Sequence, residues 1–222
     1  MRIGVVTDTH VGEHLPALPG EVLAALAGVD LIIHCGDLTV PGVLDDLGRV
    51  APVVAVRGNH DDDAGHTGLP VARVLRVGGR RVGITHGTRP DPVELAGGLV
   101  SLALRRTALL GFHRAVRRRF GAVDAVVMGH VHMPVACVRD GALLFSPGAV
   151  YVPECDPWFD WSTARGRAYR RFRALAPPEA LVPAVGILEV TPAGVGARRI
   201  PLREPLRTRG AGSAPGAPAV VG

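Results

Sequence analysis

Seven residues could do chemistry by type and position: Asp8, His10, Asp37, Asn59, His86, His130 and His132. Each follows a short apolar run, within Asp8-Thr9-His10, Gly36-Asp37, Gly58-Asn59-His60-Asp61, Thr85-His86-Gly87 and Gly129-His130-Val131-His132. They are oxygen and nitrogen donors without a thiolate, a set that suits borderline divalent cations such as Mn²⁺, Fe²⁺, Ni²⁺ or Zn²⁺. Seven ligands are too many for one ion. With one carboxylate shared, they divide into two four-ligand sets that leave room for water. Two ions about 3.5–4 Å apart acidify a water between them and clamp a phosphoryl oxygen. A phosphoester is the substrate such a pair suits, because its negative charge must be neutralised as the nucleophile arrives.

Taken singly, each pair has a plainer reading as a turn Asp or a surface His. Convergence is what would give them meaning. Asp8 and His10, like His130 and His132, are two apart, so an extended strand tip would point both the same way. Gly58 lets the backbone turn sharply between strand and site. In Asp61-Asp62-Asp63, three adjacent carboxylates cannot all face one ion; Asp61 is expected to be structural and its two neighbours a solvated loop. His34 is expected beside the site or in the core. His14, His66 and His113 read as loop or surface residues, with His14 closest to the motifs.

The elements that must position these residues follow from periodicity. Arg2 to Thr7, Leu31 to Cys35, Val53 to Val56 and Asp124 to Met128 are apolar, β-branched-rich runs of strand length. Helices are predicted over Glu21 to Ala27 and Val43 to Val50, with Gly28 at a helix C-terminus. This β-loop-α-β order predicts an α/β protein with its site at the strand tips. Ala72 to Val77 and Arg81 to Thr85 flank Gly78-Gly79-Arg80, the composition of a hairpin. Asp91-Pro92-Val93-Glu94 reads as a helix start with Asp as cap. Leu95, Leu99, Leu102, Leu109, Val116 and Phe120 share one predicted helical face, and Arg105-Arg106 with Gly111 leave one helix or two open. Arg114, Arg117, Arg118 and Arg119 suit a solvated helix end better than an anion-binding patch. Ser146-Pro147-Gly148-Ala149 is expected to border the site, and Ile187 to Val190 and Ala197 to Leu202 to close the sheet.

At 222 residues, with 47% apolar and 20% charged, the chain is globular and long enough for one core. The expected organisation is one domain over 1–206, carrying an aromatic, Arg-rich insertion at about 151–183, and a disordered tail over 207–222. The insertion holds six of the nine aromatic residues: Tyr151, Trp158, Phe159, Trp161, Tyr169 and Phe172. It reads as a lid or as a surface for a homo-oligomer. The net charge of +5 comes with no Lys at all, which points to coding bias rather than nucleic-acid binding. No apolar run is long enough for a membrane span, and Asp8 comes too early for a signal-peptide core. Cys35, Cys137 and Cys155 make no spaced framework, as expected of packing thiols in a cytoplasm.

Asp8-x-His10, Gly36-Asp37, Gly58-Asn59-His60-Asp61, His86-Gly87 and Gly129-His130-x-His132, in that order, resemble the calcineurin-like metallophosphoesterase superfamily, and in size its small prokaryotic phosphodiesterase branch. The resemblance covers about residues 1–150 and the closing strands. It implies two mixed β-sheets packed as a sandwich between helices, in four layers, with a dinuclear metal site at the strand tips. It further implies that Asp8, His10, Asp37 and His132 hold one metal, with Mn²⁺ expected first. Asp37 would bridge to a second metal held by Asn59, His86 and His130. His60 would assist the leaving group. The implied function is hydrolysis of phosphodiesters, with monoesters open as well, by a water held between the metals.

The chain departs from the Ser/Thr protein phosphatases of that superfamily. They carry a second Asp three residues after the bridging one, then Arg-Gly. Here those positions read Val40, Pro41 and Gly42, so the carboxylate that would orient the catalytic His is missing there, as is a phosphate-binding Arg. Two other functions are to be weighed. A non-catalytic scaffold of this fold, like a retromer coat subunit, has degraded ligands, whereas here all seven positions are filled. A nuclease or nucleotide hydrolase would need base-stacking groups near the motifs, and only the aromatic insertion offers them.

Overall fold

The computed structural model describes residues 1–63, 68–156 and 159–202. His66, Trp158, the side chains of Asp62, Asp63 and Arg165, and the tail beyond 202 lie outside the described residues, so the expectations for them stay as stated. The strands are β1 (Arg2–Val6), β2 (Leu31–His34), β3 (Val53–Ala55), β4 (Ala72–Val77), β5 (Arg80–Thr85), β6 (Ala125–Val127), β7 (Pro134–Arg139), β8 (Ala142–Pro147), β9 (Ala184–Thr191) and β10 (Gly194–Pro201). The helices are α1 (Gly20–Ala25), α2 (Gly42–Gly48), α3 (His60–Asp63), α4 (Asp91–Leu104), α5 (Phe112–Arg118) and α6 (Ala164–Arg173).

They form two five-stranded sheets, ordered β10-β9-β1-β2-β3 and β4-β5-β6-β8-β7. Both are mixed. β1, β2 and β3 run parallel while β9 pairs antiparallel with β1. In the second sheet β5, β6 and β8 run parallel, edged by antiparallel β4 and β7. The alternation along each strand explains the layering. Ile3, Val5, Ile33, Val82, Ile84, Ala125, Val127 and Phe145 meet between the sheets. The opposite side of the first sheet, with Val6, Ile32 and Ile187, packs on Val22, Leu26, Val43 and Leu47 of α1 and α2. The opposite side of the second, with Val126 and Leu144, packs on Phe112 and Val116 of α5. Strands apolar on both faces are covered on both faces, which gives the four-layer αββα sandwich.

Several expectations change in three dimensions. The Leu95–Leu99–Leu102 stripe does not face the core: Leu95 is 67% and Leu99 60% exposed, and α4 buries Gly97 and Ser101 instead. Small residues let the helix lie close, and Ser101 Oγ satisfies itself on Gly97 O at 2.7 Å while accepting Ala108 N at 2.9 Å. The helical stretch splits into α4 and α5, with Arg105 and Gly111 both at positive φ. Pro90, not Asp91, occupies the N-cap of α4, and no side chain caps it. Glu94 is thereby released for another use. Arg117 and Arg119 are not a loose basic terminus either. Arg117 donates to Phe120 O, Gly121 O and Asp140 O, and Arg119 to Thr85 Oγ1 and Thr88 O. They fasten α5 to neighbouring loops.

Candidate metal centre

All seven donors come from loops at one end of the two sheets. Asp8 and His10 follow β1, Asp37 follows β2, Asn59 follows β3, His86 follows β5, and His130 and His132 follow β6. The means of convergence differs from that expected. The tips are not extended: Asp8, His10, Asp37, His130 and His132 all have left-handed φ, between 47° and 73°. Such residues cost energy unless the surroundings hold them, and clustered strain of this kind marks functional sites. Two left-handed turns, rather than strand alternation, bring Asp8 and His10 to one point, and the same kind of turns send His130 and His132 to different groups.

Backbone bonds fix those turns. Asp8 N donates to Gly36 O and His10 N to Asp37 O, both at 3.1 Å, which joins the loops after β1 and β2. Asp61 is buried and accepts four backbone N–H groups: Asp37, Leu38 and Thr39 at 2.9 Å and Gly58 at 2.7 Å. It is structural, as expected, and it shapes the loop that carries Asp37. Gly58 is needed for close approach rather than for a turn, since an added Cβ would stand 2.7 Å from Asp37 N. At Gly129 the same atom would stand 2.8 Å from Asp8 Oδ2.

Five of the seven donors lie in two overlapping groups. Asp8, His10 and His132 offer ligand atoms around one point, and Asp8, Asp37 and His86 around another. His132 Nε2 is 3.4 Å from Asp8 Oδ1. Asp37 Oδ2 stands between the groups, 3.6 Å from His10 Nε2 and 3.1 Å from His86 Nε2. Asn59 Oδ1 faces His130 Nδ1 at 3.2 Å and accepts Thr88 Oγ1 at 3.2 Å.

The imidazoles are prepared for cations. A carboxylate or carbonyl oxygen can only accept, so its partner nitrogen must carry the proton. Glu13 Oε2 fixes His10 Nδ1 at 3.0 Å, the Cys35 carbonyl fixes His86 Nδ1 at 2.8 Å, and Glu94 Oε1 fixes His130 Nε2 at 3.0 Å. Each bond leaves the other ring nitrogen facing the cluster, as outer partners of metal-binding His do. Among the described residues, His10 Nε2, His86 Nε2 and His132 Nδ1 are buried with no partner in hydrogen-bond geometry. Orphaned buried nitrogens beside carboxylates fit divalent cations.

The protonation pattern agrees. Burial works against ionisation of Asp8, yet the charges of His132, His86 and His10 hold it well below the ordinary carboxylate range. Asp37 is lowered to about 2 because His86 outweighs its burial. Burial alone would lower His86, but Asp37 and Asp8 raise it to about 9. In the metal-free protein a proton thus stands where a cation would serve both carboxylates.

Three groups at the site escaped sequence reasoning. Glu13 lies three residues after His10 and contacts His60 as well: its Oε1 is 3.0 Å from His60 Nδ1. A carboxylate therefore does reach His60, from the loop after β1 instead of the position three after Asp37. Glu94 holds His130 and forms a two-pronged pair with buried Arg89, at 2.9 and 2.8 Å. Tyr151 donates to Asp156 Oδ2 at 2.9 Å and stacks on His14 at 4.3 Å, beside His10. Only the i,i+3 spacing of His10 and Glu13 was a usable signal. His14 is thus packed at the rim of the cluster. His34 is buried within it, its Nδ1 accepting Gly36 N and its Nε2 facing Thr9 Oγ1, and burial lowers it to about 4. His113 is half-buried on α5. Cys35 is buried and Cys137 and Cys155 half-buried, all free thiols.

A calcineurin-like phosphoesterase superfamily domain model matches residues 1–158. A protein described as a probable metallophosphoesterase of Methanocaldococcus jannaschii is 36% identical over 70% of this chain and 71% of its own length. A phosphodiesterase of the same organism is 24% identical over 67% of this chain and 83% of its own. Among solved structures, zinc-bound Vps29 of Entamoeba histolytica superposes with a TM-score of 0.57 at 20% identity, covering 91% of this chain and all of that one. The last likeness shows the fold. The chain belongs to the calcineurin-like phosphoesterase superfamily, a family of metal-dependent phosphoester hydrolases. Among the described residues, no helix is long and apolar enough to cross a membrane.

Proposed function

We propose that this protein is a dinuclear metal-dependent phosphodiesterase, with monoesters as secondary substrates. The placing of Asp37 Oδ2 within reach of both His10 and His86 carries the reading, because one oxygen between two donor groups is what a shared ligand requires. Asp8, His10 and His132 would hold one cation and Asn59, His86 and His130 the other, with Asp37 common to both. Mn²⁺ is the expected ion, and Fe, Ni or Zn suit the same donors. When bound, the cations would acidify a water and neutralise phosphoryl charge. The chain's own part is to hold His60 at the edge of the cluster, where its ring lies 4.7 Å from that of His10. Its backbone N–H donates to Asp37 Oδ1 at 3.0 Å. From there the ring can give a proton to the leaving group.

A small phosphoester is the proposed substrate and the cytoplasm the proposed location. The segment 151–183 is proposed as a lid or an oligomer surface; Phe159, Trp161, Tyr169 and Phe172 pack on one another there, while Tyr151 turns to the site. A scaffold role is the second reading, favoured by the likeness to Vps29. Purified protein loaded with Mn²⁺ should hydrolyse bis(4-nitrophenyl) phosphate faster than 4-nitrophenyl phosphate, and chelation should stop it. Two bound ions with turnover of neither ester would favour the scaffold.

A further inference from the structure

One carboxylate held by two imidazoles is only half explained as an outer partner of His10. Glu13 gives Oε2 to His10 Nδ1 and Oε1 to His60 Nδ1, each at 3.0 Å. The loop that carries it is closed on His10, whose carbonyl accepts His14 N at 2.9 Å and Leu15 N at 3.1 Å. Leu15 is buried in the core and the His14 ring lies flat on Tyr151, so Glu13 stands on a fixed base. His60 is held at its root by the bond from its N–H to Asp37 Oδ1, which leaves the ring free to turn. A bond at Nδ1 removes that freedom and leaves Nε2 as the only ring nitrogen that can serve a substrate.

We infer that Glu13 is a positioning residue that turns His60 so that Nε2 meets the leaving-group oxygen. The inference rests on the hydrolase reading above. In the step it serves, the water oxygen forms the new P–O bond and the water proton passes to solvent. The P–O bond to the leaving group breaks with its electron pair on the departing oxygen. That oxygen takes the Nε2 proton of doubly protonated His60, which is left neutral with its remaining proton on Nδ1 against Glu13, and solvent reprotonates Nε2. A carboxylate that served only His10 would slow every substrate alike, through weaker cation binding. One that orients His60 matters in proportion to how badly the leaving oxygen needs a proton.

The test compares the wild type with Glu13→Ala, His60→Ala and the double variant at saturating Mn²⁺. The substrates are two phosphodiesters that differ only in a 4-nitrophenyl or a phenyl leaving group, and bound metal is measured in the same samples. Glu13→Ala should lower kcat about 10- to 100-fold for the phenyl ester and no more than about threefold for the nitrophenyl ester. Two ions per chain should remain, and the substitution should cost nothing further once His60 is gone. Equal losses on both esters, additive losses in the double variant, or metal loss that accounts for the defect would overturn the inference. A second reading needs no turnover. Nitrogen NMR of the metal-free wild type should place the His60 ring proton on Nδ1, a preference Glu13→Ala should abolish; an unchanged tautomer would also overturn it. Inertness toward both esters would count against the hydrolase reading, and the His60 tautomer would still decide the role of Glu13.

Discussion

The two ends of the donor cluster are built alike but set in different surroundings. Asp8 and His10 are buried at one end, with His132 half-buried; at the other His86 is buried, His130 half-buried and Asn59 exposed. A carboxylate stands behind each end. Glu13 binds His10 and His60, and is lowered to about 2, chiefly by its bond to His10. Glu94 binds His130 and is lowered to about 2 by His130 and Arg89, which outweigh its burial. The difference is charge. Arg89 already neutralises Glu94, whereas among the described residues only imidazoles pair with Glu13. The buried end should therefore hold its cation more tightly, and the open end should exchange first.

Asp37→Ala strikes both ends at once and should have the largest effect. Hydrolysis should fall by about 10³-fold or more, with loss of bound metal by elemental analysis. Wild-type activity in that variant would break the idea of one centre with two ends. Asn59→Ala touches the open end alone. Its bound metal should drop from two ions to one, with turnover about 10²-fold lower; loss of both ions would show that the ends are not separable. Glu94→Gln is milder. It should weaken the open-end cation by about 10-fold and leave the tighter one unchanged in a calorimetric titration.

The smallest effect is the pH dependence. His86 is raised from 6.5 to about 9 in the metal-free fold. That shift stabilises the metal-free protein below pH 6.5, and the stabilisation is lost as pH rises through about 9. A cation must displace the same proton, so metal affinity should rise with pH over that window and uptake should acidify a weakly buffered solution. Uptake without proton release would show that His86 is neutral before the metal arrives.

The two regions also differ in how legible they were. The seven candidate donors could be read because they lie next to five apolar strands, and strand periodicity is a local property of the chain. The hairpin β4–β5 was readable for the same reason. α4 was not. Its Leu stripe has helical spacing, but the side that packs is chosen by what lies beneath it, and there Gly97 and Ser101 fit closer than Leu. Glu94 was hidden with it, because a residue read as helix-terminal chemistry is spent on His130, 36 residues away.

Sequence alone determined the donor types, their order and the strands that end beside them, because ligand chemistry and the two-residue alternation are written in neighbouring residues. It also pointed to a structural part for Asp61, since three adjacent carboxylates cannot all face one ion. Tertiary structure decided how the donors converge. Left-handed turns at Asp8, His10, Asp37, His130 and His132 persist only because bonds from distant loops hold them, with Asp61 gathering four N–H groups. It also decided which carboxylate reaches His60. Glu13 and His60 are 47 residues apart, and only the packing of the first and third strand loops brings them to 3.0 Å.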